Sequence, residues 1–396
     1  MSVRNPFWCK LSLLLTSSLT IMAGATIAAS LPSIQRAFVD TPHVELLTRL
    51  AITMPALAIA LLSPVSGWFV DRYGRTRFLY AGMVLYGISG VAGGLVNDLY
   101  LLLAFRLLLG VAVSMSMTSV LTLIGDYFEG PERSSFLGLQ AAFMGFGGVL
   151  FITAGGWLAD ISWRGPFFLY AAAFLFLPLA MWALHEPTQA EREHRPAPGQ
   201  KAVADAPDSL DKPLAVFNYA VLVLMFIVMY IIPTQVPFII ENKFAVSSTW
   251  VGLVVAALPL SSAFSSLMYP KVKRRNSYLG VYGIVFLFSG IGYLSFSYAP
   301  SPIFAMMSLL VVGMGMGLLM PNGSVWLMDI SPMSMRGRVM GGMTTSVFLG
   351  QFISPFVTQP VINGIGADRA FQVLGAALIV AVGLTLLSTA LFRRWS

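Results

Sequence analysis

The sequence predicts an all-α membrane protein with twelve transmembrane helices. Of its 396 residues, 57% are hydrophobic and only 10% are charged, whereas an ordinary soluble domain carries roughly 25% charged residues. Uncharged runs such as 11–35 and 371–392 are longer than twenty residues, which favours helices over the strands of about ten residues found in membrane barrels. Because a helix needs about 20 apolar residues to cross a bilayer, the length of the chain suits twelve helices.

Apolar runs between charged residues give the order of the helices. The first six are predicted near 11–32, 46–69, 78–97, 100–123, 135–158 and 166–184. Six more are predicted near 214–236, 248–269, 278–297, 303–326, 338–361 and 370–391. Charged residues and prolines crowd the segment between the two sets, as in a solvated linker. The predicted domains are an N-terminal six-helix bundle (1–184), a linker (185–213) and a C-terminal six-helix bundle (214–396).

The positions of the basic residues predict the orientation. Positively charged loops stay on the cytoplasmic side, and most of the 24 Lys and Arg residues lie on one side if both termini are cytoplasmic. We therefore expect a multi-pass protein of the inner (cytoplasmic) membrane with both termini and the linker inside. The net charge of +7 is explained by these loops, so nucleic acid is not an expected partner. Cys9 is the one cysteine, which excludes an intramolecular disulfide and a cysteine metal cluster.

The two halves of the chain contain related positions. Residues of the same type recur at an offset of 203 positions in and after the fourth and tenth helices: Gly110 and Gly313, Asp126 and Asp329, Arg133 and Arg336, Gly138 and Gly341. Parallel repeats related by an axis along the membrane normal are known from transporters. The sequence therefore predicts two pseudo-symmetric bundles.

The segment after the second helix contains the most specific motif. Residues 67–77 are Gly-Trp-Phe-Val-Asp-Arg-Tyr-Gly-Arg-Thr-Arg, which resembles the G-x-x-x-D-R-x-G-R motif of the major facilitator superfamily. The runs 106–110 (R-x-x-x-G) and 163–167 (Trp-Arg-Gly-Pro-Phe) also resemble segments of that family, and the resemblance covers the whole chain. A weaker copy at 266–275 lacks the acidic residue. The resemblance implies the major facilitator fold and alternating access around a cavity at the middle of the membrane.

The motif also implies a set of inner-gate residues. A glycine allows close helix approach, a second glycine allows a tight turn, and the arginines bind the anionic membrane surface. In the superfamily, the acid carried here by Asp71 is thought to hold the gate closed against the start of the eleventh helix, where a carboxylate gains about 0.3–1 kcal/mol from the helix N-terminus. The predicted inner-gate residues are Gly67, Asp71, Arg72, Gly74, Arg75, Asp126, Arg133 and Arg336.

Arg106 lies inside a predicted helix. A charged residue there costs about 2.5–3.5 kcal/mol even on the lenient insertion scale, so the side chain must face a polar interior or a wet cavity. It either extends to the outer surface beside Asp98 or acts as a transport-linked cation that contacts substrate or tunes an acid. The other substrate candidates suit amphipathic organic solutes. They are Thr20, Thr26, Gly110, Ser114, Ser116, Tyr230, Met316 and Gln351.

Proton coupling has no obvious carrier in the sequence. No Asp or Glu lies in the middle of a predicted helix, where proton relays of transporters are usually found. The proton-coupling candidates therefore lie at helix ends: His43, Glu45 and Asp98, with Glu241 as a further titratable group. The fifth helix resembles the G-x-x-x-G-P-x-x-G-G motif of proton-driven drug exporters only in part, because Phe151 and Ile152 replace its Gly-Pro pair.

The expected function is secondary active transport. Proton-driven export of small amphipathic molecules, either drugs or a secreted metabolite such as a siderophore, is the first hypothesis. An importer or facilitator of an anionic metabolite that contacts Arg106 is the second, and a non-transporting receptor on the same fold is the third. Because no nucleotide-binding, zinc-protease or nucleophile-elbow motif occurs, we expect neither an enzyme nor a cofactor or metal. The expected partners are membrane lipid, a small organic substrate and protons, with a functional monomer.

Overall fold

The computed structural model describes residues 6–128, 130–187 and 209–391, which contain helices and no strand. The first half contains α1 (Pro6–Ala25, a 3-10 turn Ala28–Ser30 and Leu31–Ala37), α2 (Val44–Tyr73), α3 (Arg75–Leu95), α4 (Leu99–Tyr127), α5 (Gly130–Ile161) and α6 (a 3-10 segment Gly165–Ala171 and Ala172–Ala183). The second half contains α7 (Lys212–Phe244), α8 (Ser248–Lys273), α9 (Tyr278–Ser297), α10 (Pro302–Asp329), α11 (Arg336–Ile365) and α12 (Ala367–Leu391). The predicted all-α class is confirmed, and most of the linker predicted at 185–213 lies outside the described residues.

Several helices are longer than predicted. The second was predicted at 46–69 and spans Val44–Tyr73, while the seventh was predicted at 214–236 and spans Lys212–Phe244. A prediction from hydropathy stops where charged residues begin, whereas backbone hydrogen bonding continues beyond the apolar layer. The motif after the second predicted helix therefore begins within helix α2, and Asp71 belongs to its last turn.

Buried apolar side chains form two cores, one in each half. The largest fully buried aromatic residues of the first half are Tyr86, Phe167 and Tyr170, and those of the second half are Tyr282, Tyr293 and Phe371. Each core is built almost entirely from its own six helices. The chain thus forms the two six-helix bundles of the predicted fold.

Close helix contacts repeat between the bundles. A Cβ on Gly110 of α4 would lie 2.4 Å from the carbonyl oxygen of Pro55 in α2. A Cβ on Gly313 of α10 would lie 2.4 Å from the carbonyl oxygen of Leu258 in α8. Both members of the second pair follow those of the first by 203 residues, so the repeat in the sequence is a repeat in the packing.

Helix α11 differs from the other long helices in polarity. The other eleven are apolar enough to span a membrane by composition within the described part of the chain. Helix α11 packs against α2 and α7, and Gln351, Ser354, Thr358 and Gln359 on it are buried. Polar side chains in a membrane face the protein interior, and here they face α7 of the same bundle and α2 of the other.

Candidate functional site

A cavity of about 440 Å³ lies between the bundles at the middle of the helices. It is lined by residues of α1, α2, α4, α5, α7, α8, α10 and α11. The wall is mainly apolar, and four methionines belong to it: Met117, Met144, Met229 and Met320. No charged side chain is among the residues that line it in the described part of the chain. A flexible, polarizable wall of this kind adapts to solutes of different shape.

Three of the predicted substrate residues line this cavity: Thr20, Tyr230 and Gln351. Sequence reasoning missed Thr344 and Phe348, which also line it. Both lie on the same face of α11 as Gln351, at helical spacings of seven and three residues. That periodicity could have identified them.

The remaining substrate candidates lie outside the cavity, in contacts between or within helices. The Thr26 hydroxyl donates to the carbonyl oxygen of Met22 at 2.6 Å, and the Ser114 hydroxyl lies 2.8 Å from that of Ser66. Three others pack without a cavity contact: Gly110 against α2, Ser116 against Gly82 of α3, and Met316 in the core of the second bundle. The sequence identifies the residue types but not the helix face on which each residue lies.

Arg106 lies behind the cavity wall rather than on it. Its side chain is buried, and its Nε donates to the carbonyl oxygen of Ala51 at 2.5 Å. Nη2 donates to the carbonyl oxygen of Ala23 at 2.6 Å, and Nη1 to the hydroxyl of Tyr170 at 2.8 Å. The Ala51 carbonyl lacks its usual helical donor because the fourth residue after it is Pro55, which has no N–H. Arg106 therefore donates to a carbonyl that Pro55 leaves without a helical donor in α2 and to one near the end of the first segment of α1.

We call the side of the bundle on which α6 ends and α7 begins the linker side, and the opposite side the far side. On the linker side, Nε of Arg75 lies 2.5 Å from Oδ2 of Asp126, and both side chains are about nine-tenths buried. Asp71, which is 72% exposed, lies 3.7 Å from Nη2 of Arg75. The structure thus brings these three predicted inner-gate residues together.

The anion at the N-terminus of α3 is Glu186, which sequence reasoning did not single out. Its carboxylate accepts the backbone N–H groups of Arg75 at 2.9 Å and Thr76 at 2.8 Å. A carboxylate at this position stabilises the helix N-terminus. Asp71, in contrast, does not face a helix N-terminus in this structure, because it projects from the last turn of α2 toward solvent.

The other inner-gate residues occupy the same side. Gly74 has φ +96°, a conformation that residues with a side chain rarely adopt. The guanidinium of Arg72 lies 5.2 Å from the ring centre of Trp68. Arg133 begins α5 beside α4, and Arg336 begins α11. A Cβ on Gly67 would meet no atom within 4 Å, so the close helix approach that this glycine permits is absent here.

The second bundle has a counterpart of the Arg75–Asp126 pair. The hydroxyl of Tyr278, at the start of α9, donates to the carboxylate of Asp329, at the end of α10. These two residues follow Arg75 and Asp126 by 203 positions. The second bundle keeps a hydrogen bond at this position, with a tyrosine in place of the arginine.

The far side is closed by polar contacts between the bundles. Arg36 at the end of α1 pairs with Glu241 near the end of α7 at 2.5 Å. The carboxylate of Asp160 on α5 accepts the backbone N–H groups of Ser248 at 2.6 Å and Thr249 at 3.1 Å, at the start of α8. Both contacts join the first half of the chain to the second.

A polar network lies just inside these contacts. Arg49 donates to Gln235 at 3.0 Å, Gln235 donates to Gln359 at 2.7 Å, and Gln359 donates to Glu45 at 3.1 Å. Two residues of α2 thus enclose two glutamines of the second bundle. Among the other proton-coupling candidates, His43 precedes α2 with φ +58°, and Asp98 caps α4 by accepting the N–H of Leu101 at 2.7 Å.

The two sides therefore differ in how the bundles meet. Among the described residues, one hydrogen bond between the bundles lies toward the linker side: the Thr345 hydroxyl donates to the carbonyl oxygen of Ala60 at 3.5 Å. The other hydrogen bonds between the bundles in this part of the chain lie on the far side. Cβ atoms on Gly67 and Gly341 would meet open space. The bundles are joined on the far side and apart on the linker side.

Two related six-helix bundles around one central cavity define a multi-pass membrane transport protein. Residues 13–355 match the family model described as Major Facilitator Superfamily. The chain belongs to this family, as its second-helix motif and its twelve-helix fold indicate.

Relatives of the chain include multidrug efflux pumps. The multi-drug resistance efflux pump PmrA of Streptococcus pneumoniae serotype 4 is 24% identical over 88% of this chain and 89% of its own length. Multidrug resistance protein 1 of Bacillus subtilis is 31% identical, but that match covers only 37% of this chain and 38% of the relative. The vesicular acetylcholine transporter of Rattus norvegicus is 25% identical over 92% of this chain and 70% of its own length.

Solved structures of low sequence identity share the fold. A bacterial homolog of the human lysosomal transporter Spinster superimposes with a TM-score of 0.78, at 16% identity, over 100% of both chains. The xylose transporter XylE from E. coli gives a TM-score of 0.77, at 16% identity, over 96% of each chain. These likenesses establish the architecture.

Proposed function

We propose that this protein is a secondary active transporter that exports small amphipathic organic molecules by alternating access, driven by the proton gradient. The observation that carries the proposal is the uncharged, methionine-rich cavity between the bundles. Its wall comes from both bundles, so a rocking motion would expose it to each side in turn. The full-length similarity to an efflux pump named for multi-drug resistance supports export over import.

We further propose that the linker side is cytoplasmic and that both termini lie there, in the inner membrane. In this orientation the structure represents the state loaded from the cytoplasm. The residues Asp71, Arg75, Asp126 and Glu186 would then hold α2, α3, α4 and α6 as one unit, and α11 would close on them at Arg336. The same orientation places the basic loops inside, as the charge distribution favours. The proposed transport unit is the monomer.

Glu45 is the proton carrier that we propose, because its carboxylate lies at the contact between bundles. When the far side opens, Gln359 moves away with the second bundle and Glu45 loses the hydrogen bond at 3.1 Å. Opening and closing of the far side would thus change the partners of this carboxylate, and we propose this change as the link between proton and substrate.

The anion importer is less well supported. That hypothesis needs the Arg106 guanidinium in contact with substrate, whereas its hydrogen bonds go to two backbone carbonyls and a phenol behind the wall. A non-transporting receptor would not need a cavity shared by both bundles. We therefore retain export as the proposal.

Inverted membrane vesicles that contain the protein provide the test. With the inside acidified, the neutral dye N-phenyl-1-naphthylamine should accumulate in the vesicles, and collapse of the pH gradient should release it. Glu45→Gln should remove the response to the pH gradient, while the matched control Glu241→Gln should retain most of it. Dye accumulation that is independent of the pH gradient would exclude proton coupling. If amphipathic probes fail to accumulate whatever their charge, export is excluded.

A further inference from the structure

We infer that the central cavity prefers amphipathic organic anions to organic cations. The charge next to its wall is the Arg106 guanidinium, which has no carboxylate partner among the described residues. The inference rests on the proposed export function and adds the charge of the substrate to it.

The positive charge of Arg106 is hydrogen-bonded but not neutralised. Its three acceptors are neutral, because two are backbone carbonyls and the third is the hydroxyl of Tyr170. Asp98 lies eight residues earlier on α4, about 12 Å along the helix, and caps that helix. Glu45 lies six residues before Ala51, about 9 Å along α2, and is followed one turn later by the cation Arg49. These carboxylates are therefore too distant, or too close to another cation, to neutralise the positive charge of Arg106.

The charge is separated from the cavity by a wall about one residue thick. Ala23, whose carbonyl accepts from Nη2, is itself a lining residue, as is the neighbouring Gly24. Tyr230 also lines the cavity, and its hydroxyl lies 3.2 Å from the position of a Cβ on Gly24. Because the surroundings are apolar, the field reaches the cavity with little screening. An anion in the cavity is stabilised by it and a cation is destabilised.

The polar groups of the cavity can hydrogen-bond such an anion. Thr20, Tyr230 and Gln351 line it from both bundles, and within the described residues none of their side chains is hydrogen-bonded to protein. Two hydroxyls and an amide N–H₂ group donate hydrogen bonds to a carboxylate or sulfonate oxygen. The remaining wall is apolar and accommodates the hydrophobic part of the molecule. The expected substrate is thus a hydrophobic skeleton with one anionic group.

An anionic substrate also fits the lining, in which no carboxylate occurs among the described residues. The membrane potential is negative inside, so it drives an anion outward with an accumulation ratio of roughly 50-fold per 100 mV and unit charge. Part of the driving force is then carried by the substrate itself. A cationic substrate would require a buried acid to bind it and an ion to oppose the potential.

Two xanthene dyes, fluorescein and rhodamine 123, test the preference because they have a similar skeleton and opposite charge. Binding is measured by fluorescence polarisation on the full-length protein in an uncharged detergent, with protein-free micelles as the blank. Wild type should bind fluorescein at least tenfold more tightly than rhodamine 123. Arg106→Gln should bring the ratio close to one, while Arg106→Lys should keep fluorescein preferred. Tyr230→Phe, which retains the guanidinium, should weaken fluorescein binding severalfold and leave rhodamine 123 unchanged.

Equal or tighter binding of rhodamine 123 by wild type overturns the inference. An unchanged ratio in folded Arg106→Gln overturns Arg106 as its source, and if that variant does not fold, an unchanged fluorescein affinity in Tyr230→Phe overturns the proposed anion contact. Transport in vesicles separates this inference from the export proposal. Preferential binding of fluorescein without export refutes the function and leaves the inference standing, whereas export of rhodamine 123 but not fluorescein refutes only the inference.

Discussion

Arg106 shows how a single side chain can bind backbone carbonyls of two helices. Pro55 removes the N–H that would bond to the carbonyl of Ala51, and α1 is interrupted a few residues after Ala23. Each unpaired carbonyl in an apolar interior costs about 1–3 kcal/mol. The arginine meets both needs at once, which explains why a charged residue is retained within a membrane helix.

This arrangement predicts a double-mutant cycle. Arg106→Gln should lower the free energy of unfolding by about 2 kcal/mol, because at least one carbonyl loses its donor. Adding Pro55→Ala supplies a backbone N–H to the Ala51 carbonyl and should recover part of that loss, although Pro55→Ala alone should give no such gain. Thermal unfolding in detergent measures all four proteins. Purely additive effects would contradict the proposed role of the proline.

The linker-side charges predict a second contrast. Asp126→Asn should lower the free energy of unfolding by about 3 kcal/mol, because it removes the partner of a buried guanidinium. The matched change Asp71→Asn touches the same arginine from an exposed position and should cost less than about 1 kcal/mol. Melting temperatures of the two variants provide the comparison. If Asp71→Asn were the more destabilising change, the exposed geometry of Asp71 would not describe the protein in solution.

The sequence predicted which residues belong to the candidate sites better than it predicted which residues they contact. The motif identified Asp71 and Arg75, the wider family resemblance added Asp126, and the structure joins the three in one cluster. It did not identify Glu186, because a lone acid at the end of α6 has no local pattern that links it to the start of α3. Ser114 and Thr26 illustrate the same limit, since small polar residues occur equally at cavities and at helix contacts.

At the scale of elements, helix α5 connects the two bundles through its glycines. A Cβ on Gly155 would lie 2.2 Å from the carbonyl oxygen of Thr26 in α1. A Cβ on Gly156 would lie 2.7 Å from the carbonyl oxygen of Ser248 in α8. Glycine is thus required for α5 to approach both helices. The chain departs from the exporter motif at Phe151 and Ile152 but keeps this final glycine pair.

Gly156→Ala should weaken closure of the far side, because its methyl group would collide with the backbone of α8. In a Cys9→Ser, Thr20→Cys background, an impermeant maleimide added on the far side should label the cavity cysteine severalfold faster than in the parent. Gly138→Ala is the matched control on the same helix, since a Cβ there meets no atom within 4 Å. Equal labelling rates in Gly156→Ala and its parent would show that this contact does not hold the far side closed.

At the scale of the whole molecule, the two bundles could be predicted because hydropathy and the repeat offset both report on long-range order. The succession of hydrophobic segments and the pairs Gly110/Gly313 and Asp126/Asp329 were sufficient. The conformational state could not be predicted, since opening either side uses the same helices. It follows from contacts such as Asp160 to Ser248, which form only when two distant segments meet.

The orientation of the whole molecule leads to a labelling prediction. In intact cells a Cys9→Ser, Asp40→Cys variant should react with an impermeant maleimide, because Asp40 is exposed in the loop between α1 and α2 on the far side. A Cys9→Ser, Ser209→Cys variant should react only after the membrane is made permeable, since Ser209 is exposed on the linker side. The opposite labelling pattern would show that the linker side faces the outside of the cell.

The polarity of α11 has a consequence for biosynthesis. Helix α11 is less apolar than the other long helices, so its buried amides and hydroxyls need protein partners in the membrane, and α2 and α7 are the helices against which it mainly packs. Both helices are synthesised earlier, so the ribosome delivers α11 to a surface that already exists. Deletion of α2 or α7 would leave α11 without one of these partners and expose it to quality-control proteases. The helix that closes the contact between the bundles is thus also the one whose insertion depends most on the completion of the rest.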